Sequence, residues 1–158
     1  MTIENAARWL NEDEQRAWRM HLDVSRMLMY QLERDLQPFG LTNNDYEILV
    51  NLSEAPERRM RMSELASNTL QSKSRLSHQI TRMESAGLVR REHCDTDRRG
   101  LFAVLTDHGW DTMLQVAPHH VESVRRHFID QISPEGLRAM YQALAPVGER
   151  LREQRGRV

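Results

Sequence analysis

The sequence predicts a mainly α fold with a small β-wing, and three observations carry that expectation. Apolar side chains recur at spacings of three and four over most of the 158 residues, the period of helices buried on one face. The period changes to strand, turn, strand only between Val89 and Thr106, where DTDRRG at 95–100 supplies the turn. Two short helices stand directly before that hairpin. Helix, turn, helix, hairpin is the order of a winged helix-turn-helix, here with long helices on both flanks.

Residues 12–37 lack Gly and Pro and align Trp18, Leu22, Met29, Leu32 and Leu36 on one stripe, so they form a long first helix that Pro38 and Gly40 end. Thr42, with Asp45 three residues on, has the chemistry of a capping box for a second helix over 43–52, with Tyr46, Leu49 and Val50 facing inward. Residues 59–62 read as a short extended piece. Ser63 is placed to cap a brief third helix with Leu65, Ala66 and Leu70 inward. A turn at 68–71 leads to a fourth helix whose Leu76, Ile80, Met83 and Ala86 share one side. Gly87 then stands where a left-handed cap is required, and Leu88 can fold back on the last turn. After the hairpin, Thr106 caps a fifth helix reaching Asp130, in which Pro118 predicts a kink. Ser133, Pro134 and Glu135 restart the chain as a sixth helix carrying Leu137, Met140, Leu144, Val147 and Leu151. The expected organisation is one domain over 1–158, with the winged unit at 42–105 and pairing helices at 12–37 and 106–155.

Composition narrows the function classes. One cysteine excludes an internal disulfide and a multi-cysteine zinc site. No apolar run approaches the ~20 residues of a membrane span, and the N-terminus lacks the apolar core of a signal peptide, so a cytoplasmic protein is expected. No phosphate-binding glycine loop, nucleophile elbow or zinc-protease signature is present, so neither an enzyme nor a cofactor is expected. Net charge is −1, but residues 58–101 hold ten Arg and Lys against five acids. A middle segment of +5 between acidic flanks suits a surface that meets phosphate.

Within that segment, Leu76, Ile80 and Met83 fix the buried side of the fourth helix. Ser74, Ser77, His78 and Thr81 then share another face, with side chains short or polar enough for close approach to base edges. Gln71 and Ser72 lie at the helix N-terminus, where free amides favour phosphate, and Lys73, Arg75 and Arg82 lie to the sides. Asp97, Arg98 and Arg99 occupy the hairpin tip. Arginines on a narrow projection suit the minor groove, and Asp97 is positioned to orient Arg99.

These residues carry a resemblance. SELA at 63–66, RMESAGLVR at 82–90, DRRG at 97–100 and LTDHG at 105–109 make residues 18–152 similar to MarR-family transcription regulators. The resemblance implies a winged-helix homodimer joined by its terminal helices and bound to a pseudo-palindromic DNA operator. It places the recognition helix at 71–82 and the wing pair at Asp97 and Arg99. It also implies a possible small-molecule effector, and repression is the expected mode. Such a ligand would sit where the first, second and fifth helices meet, with Trp18, His21, Tyr46 and Trp110 as candidate lining. A winged-helix scaffold for protein interaction, without direct gene regulation, is the alternative.

Two further features are weighed and set aside. A peroxide-sensing branch of that family uses a cysteine near the start of the first helix, whereas Cys94 ends a wing strand, and it reads as a bystander. His108, His119, His120 and His127 fall on the fifth helix without the i, i+4 pairing or the acid partner of a metal site, and no metal is expected.

Overall fold

The computed structural model describes residues 7–94 and 97–155, with the side chains of 97–99 excepted. Among the described residues six helices and three strands follow in the order α1 (Glu12–Leu36), α2 (Asn43–Glu54), β1 (Arg59–Arg61), α3 (Met62–Asn68), α4 (Lys73–Ser85), β2 (Val89–Cys94), β3 (Asp97–Leu105), α5 (Asp107–His127) and α6 (Pro134–Arg155). Single 3₁₀ turns at Gln37–Phe39, Pro56–Arg58 and Ile129–Gln131 join neighbouring elements.

Local chemistry sets most boundaries. Asn11 and Glu14 close a capping box on α1, and Thr42 and Asp45 close the expected one on α2. Ser72 caps α4 by accepting from the Arg75 amide at 3.2 Å. Gly87 takes the left-handed conformation (φ +73°) that ends α4, and the Leu88 amide bonds back to the Met83 carbonyl. Ser133 accepts from the Gly136 amide at the start of α6.

Three details depart from the sequence reading, and one is extended by the structure. α3 begins at Met62, and Ser63 does not cap it, because the chain enters the helix straight from strand β1. Leu70, expected inward, is 76% exposed. The turn between α3 and α4 needs a left-handed residue there (φ +56°), which swings the side chain into solvent, and Thr69 is buried in its place. α5 ends at His127 rather than Asp130, while it passes through Pro118 without a break, as the sequence predicts. The extended piece at 59–61 joins the wing sheet, so three antiparallel strands lie in the order β1-β3-β2. Arg59 to Arg61 pair with Val104 to Phe102, and Val89 to His93 pair with Leu105 to Leu101.

The core lies between α2, α3, α4, the sheet and the first half of α5. Ile48, Leu49, Leu52, Leu65, Leu76 and Ile80 are fully buried in it. Each such side chain contributes ~1.5–3 kcal/mol by leaving water. The base of the wing is joined to α5 through Thr106, whose amide donates to the Leu88 carbonyl and whose hydroxyl donates to the Gly87 carbonyl at 2.6 Å, while its oxygen accepts from the Gly109 amide at 2.9 Å. Gly109 lies so close that a Cβ there would stand 2.0 Å from the Leu88 carbonyl oxygen.

The flanking helices divide differently. On α1 the stripe is buried at Leu32 and Leu36 but exposed at Trp18, Leu22 and Met29. α6 buries none of its residues, and Tyr141, Leu144, Val147 and Leu151 face outward. Its far end returns to α3, where Arg155 donates to the Ser67 carbonyl and hydroxyl.

Candidate nucleic-acid interface

The helix α4 presents the face that the sequence predicts. Leu76, Ile80 and Met83 are buried, while Ser74, Ser77, His78 and Thr81 are exposed. Lys73 and Arg75 are exposed on the first turn and form no ion pair among the described residues. Ser72 is the N-cap beside them. These residues together leave an exposed polar surface with two cations that form no ion pair among the described residues.

Two predicted contacts are committed elsewhere. Arg82 donates to Asp45, a carboxylate only 1% exposed at the start of α2, which also accepts from Gln79 at 3.1 Å and from the Thr42 amide at 2.9 Å. Burial pushes the Asp45 carboxyl up, but the hydrogen bonds from Arg82, Thr42 and Gln79 outweigh it and hold the group below the usual carboxylate range. Gln71 does not point outward at the helix end. Its Nε2 donates to Gln79 Oε1 at 3.0 Å, so Gln71, Gln79, Asp45 and Arg82 form one polar chain under the helix. The same N-terminus of α2 is fixed to α1, since the Asn43 amide donates to Glu33 (2.8 Å) and its side chain to the Met29 carbonyl (2.8 Å).

The positive charge of residues 58–101 is also less free than its sum suggests. Arg59 pairs with Glu57 at 2.5 Å, Arg90 with Glu92 and Arg91 with Glu84, while Arg58 lies 3.9 Å over the Trp110 ring. Asp97, Arg98 and Arg99 open strand β3 by their backbone, and the proposed pairing of Asp97 with Arg99 lies outside the described side chains.

Sequence reasoning missed Asp45 as a tie to α4, and it missed Arg91. The latter reaches from β2 to the Ser77 and Thr81 hydroxyls at 3.2 and 3.0 Å. Only the spacing of a capping box marked Asp45, and nothing local marked Arg91.

The four candidate ligand residues lie on three helices, α1, α2 and α5. Trp18 and His21 stack on each other (5.9 Å) on the outer half of α1, where Trp18 is 53% exposed. Tyr46 lies in the core against His120 at 4.1 Å, where burial lowers the affinity of that imidazole for a proton. Trp110 lies under Arg58 at the other end of α5. The helix-five histidines also disperse: His127 meets Asp35 at 2.9 Å, and His119 packs on Phe39. Among the described residues no group of three His, Cys, Asp or Glu is arranged to hold a metal ion.

Comparison with known proteins agrees with this geometry. The MarR family profile matches residues 39–100, which span α2 to the wing tip. The fold matches the crystal structure of AbsC, a MarR family transcriptional regulator from Streptomyces coelicolor, with 69% identity and a TM-score of 0.88 over 93% of this chain and 99% of that one. Sco3205 from the same organism, solved in complex with DNA, is 40% identical with a TM-score of 0.87, covering 92% of this chain and 91% of that one. The transcriptional repressor YetL of Bacillus subtilis is 25% identical over 112 residues, 69% of this chain and 67% of YetL. The chain belongs to the MarR family, and it is a DNA-binding transcriptional regulator rather than an enzyme.

Proposed function

We propose that the chain works as a homodimer that grips an inverted repeat in duplex DNA and represses transcription there. The observation that carries this reading is the exposed Ser74, Ser77, His78 and Thr81 face, flanked by Lys73 and Arg75, which form no ion pair among the described residues. Short polar side chains admit a helix to the major-groove floor, and lysine and arginine at its N-terminal turn meet the phosphates on either side. Arg98 and Arg99 on the wing would extend the contact into the flanking minor groove.

Pairing of two protomers follows from what α1 and α6 leave uncovered. Trp18, Leu22 and Met29 on one, and Tyr141, Leu144, Val147 and Leu151 on the other, are exposed in a single protomer. A second copy gives them the burial that one chain does not. Two α4 helices held about one helical turn of DNA apart would then read successive half-sites. Repression is supported by the likeness to YetL, and DNA binding by the likeness to Sco3205. No described helix is long and apolar enough to cross a membrane, which fits a regulator working on DNA in the cytoplasm. A small effector would act by favouring dimers whose heads have the wrong separation. Membership of the family leaves the scaffold reading without support.

Selection of fragments from the source genome on the purified protein tests the proposal. The retained fragments are expected to share an inverted repeat with half-site centres about 10–10.5 bp apart, bound more weakly as salt rises. A protein that stays monomeric, or retains fragments with no common repeat, would overturn it.

A further inference from the structure

Arg91 projects from strand β2 onto the hydroxyl face of α4. Its backbone N–H and its Nη1 both donate to the Glu84 carboxylate, the former at 2.8 Å. Its Nη2 reaches the Ser77 carbonyl at 2.7 Å, Ser77 Oγ at 3.2 Å and Thr81 Oγ1 at 3.0 Å. The Thr81 proton goes to the Ser77 carbonyl, also at 3.0 Å. The Ser77 proton has no acceptor among the described residues.

A hydroxyl offers one proton and two lone pairs. On Thr81 the proton is used inside the helix, and a cation faces the oxygen. On Ser77 the oxygen faces the same cation while the proton is still to be given. A guanidinium beside both oxygens repels any further N–H donor that approaches them, such as a base amino group. Arg91 itself is half-buried, and its charge is matched by Glu84.

Resting on the reading that α4 enters the major groove, we propose that Arg91 is a positioning residue that determines specificity. By holding the Ser77 and Thr81 oxygens it makes Ser77 a hydrogen-bond donor only, and it leaves Thr81 its methyl group to present. Each half-site is then read, at the base under Ser77, for an acceptor such as guanine O6 or N7 or thymine O4. Cytosine, which shows only its N4 donor in that groove, is rejected there. Thr81 favours an apolar neighbour, which the thymine methyl provides.

Selection from randomised duplexes, repeated with three variants of the full chain, tests this assignment. Arg91→Met is expected to relax discrimination against cytosine at one position per half-site by about tenfold, equivalent to ~1.4 kcal/mol. Its salt slope should stay that of the wild type, because Glu84 already balances the Arg91 charge. Thr81→Val removes only the committed hydroxyl, so its selected motif should not change. An Arg91→Met dimer that returns the wild-type motif, or whose salt slope falls, overturns the assignment. If Arg91→Met does not fold, Thr81→Val decides alone, since an altered motif would show that its hydroxyl reads a base. Ser77→Ala separates the two levels of the argument: an unchanged motif there overturns the base-reading face itself, whereas a changed one leaves only the role of Arg91 in question.

Discussion

Replacing Asp45 by alanine should cost about 3 kcal/mol of stability, a sum that the geometry supplies. The Thr42 amide loses its side-chain acceptor at 2.9 Å, which for a half-buried helix end is worth about 1 kcal/mol. Gln79 loses its acceptor at 3.1 Å, for about another 1 kcal/mol. Arg82 loses an ionic partner, but its side chain is 54% exposed and water replaces most of that bond, so about 1 kcal/mol remains. Thermal or urea unfolding at matched protomer concentration measures the difference, with a fall in Tm of roughly 6–12 °C for a chain of this size. The difference should also depend on pH in a fixed direction. The folded carboxyl titrates below its unfolded value, so its contribution is complete above the ordinary carboxylate range near pH ~4. It is lost as pH falls through the lower folded value, and wild type and Asp45→Ala should converge in acid. A loss under about 1 kcal/mol at pH 7, or a gap that widens in acid, would refute the reasoning from hydrogen bonds.

Four other outcomes are expected. Gly109→Ala should cost about 3 kcal/mol or more, because its Cβ meets the Leu88 carbonyl and the α5 start must part from the wing base, and a melting curve near the wild type would contradict that packing. Leu144→Glu, at a position 47% exposed in the protomer, should shift the dimer to monomer in sedimentation while leaving helix content unchanged. Lys73→Ala removes two phosphate contacts per dimer, so the slope of log affinity against log salt should fall by about 1.8; an unchanged slope would place Lys73 off the DNA. Arg99→Ala should weaken operator binding by about 1–3 kcal/mol without changing the Tm, and full affinity would remove the wing from the contact.

What the sequence disclosed, and what it withheld, divides along the distance over which a residue finds its partner. The Thr42–Asp45 box, the Gly87 stop and the Thr106 cap involve partners within a few residues, and spacing alone exposes them. The buried stripe of α4 follows from period, and its complement, the reading face, follows with it. Arg82 shows where this reasoning stops. Its position beside the reading face suggested a DNA contact, but its partner Asp45 lies 37 residues earlier and becomes a neighbour only when α2 packs on α4. Arg91 and Ser77 are 14 apart on different elements and are likewise invisible to spacing. Leu70 failed for another reason: its hydrophobicity predicted burial, and the backbone conformation of the turn overrode it.

The distribution of ties between elements bears on how a signal could reach the DNA. The start of α2 is bonded to α1 through Asn43 and to α4 through Asp45. The start of α5 is bonded to the wing base through Thr106 and packed on it without room at Gly109. Farther along, Asp35 on α1 accepts from Ser123 and meets His127 on α5. The reading helix, the wing, the second half of α1 and most of α5 are therefore held to one another by directional bonds at both ends, and bending between them would break several at once. α6 and the first half of α1 also carry exposed apolar side chains, Trp18, Leu22, Tyr141, Leu144, Val147 and Leu151 among them, but apart from the Arg155–Ser67 contact no such tie to the reading head is seen among the described residues. Altering the separation of two reading heads is thus cheapest where the protomers meet, by repacking apolar side chains that have no fixed direction, and most expensive inside either protomer.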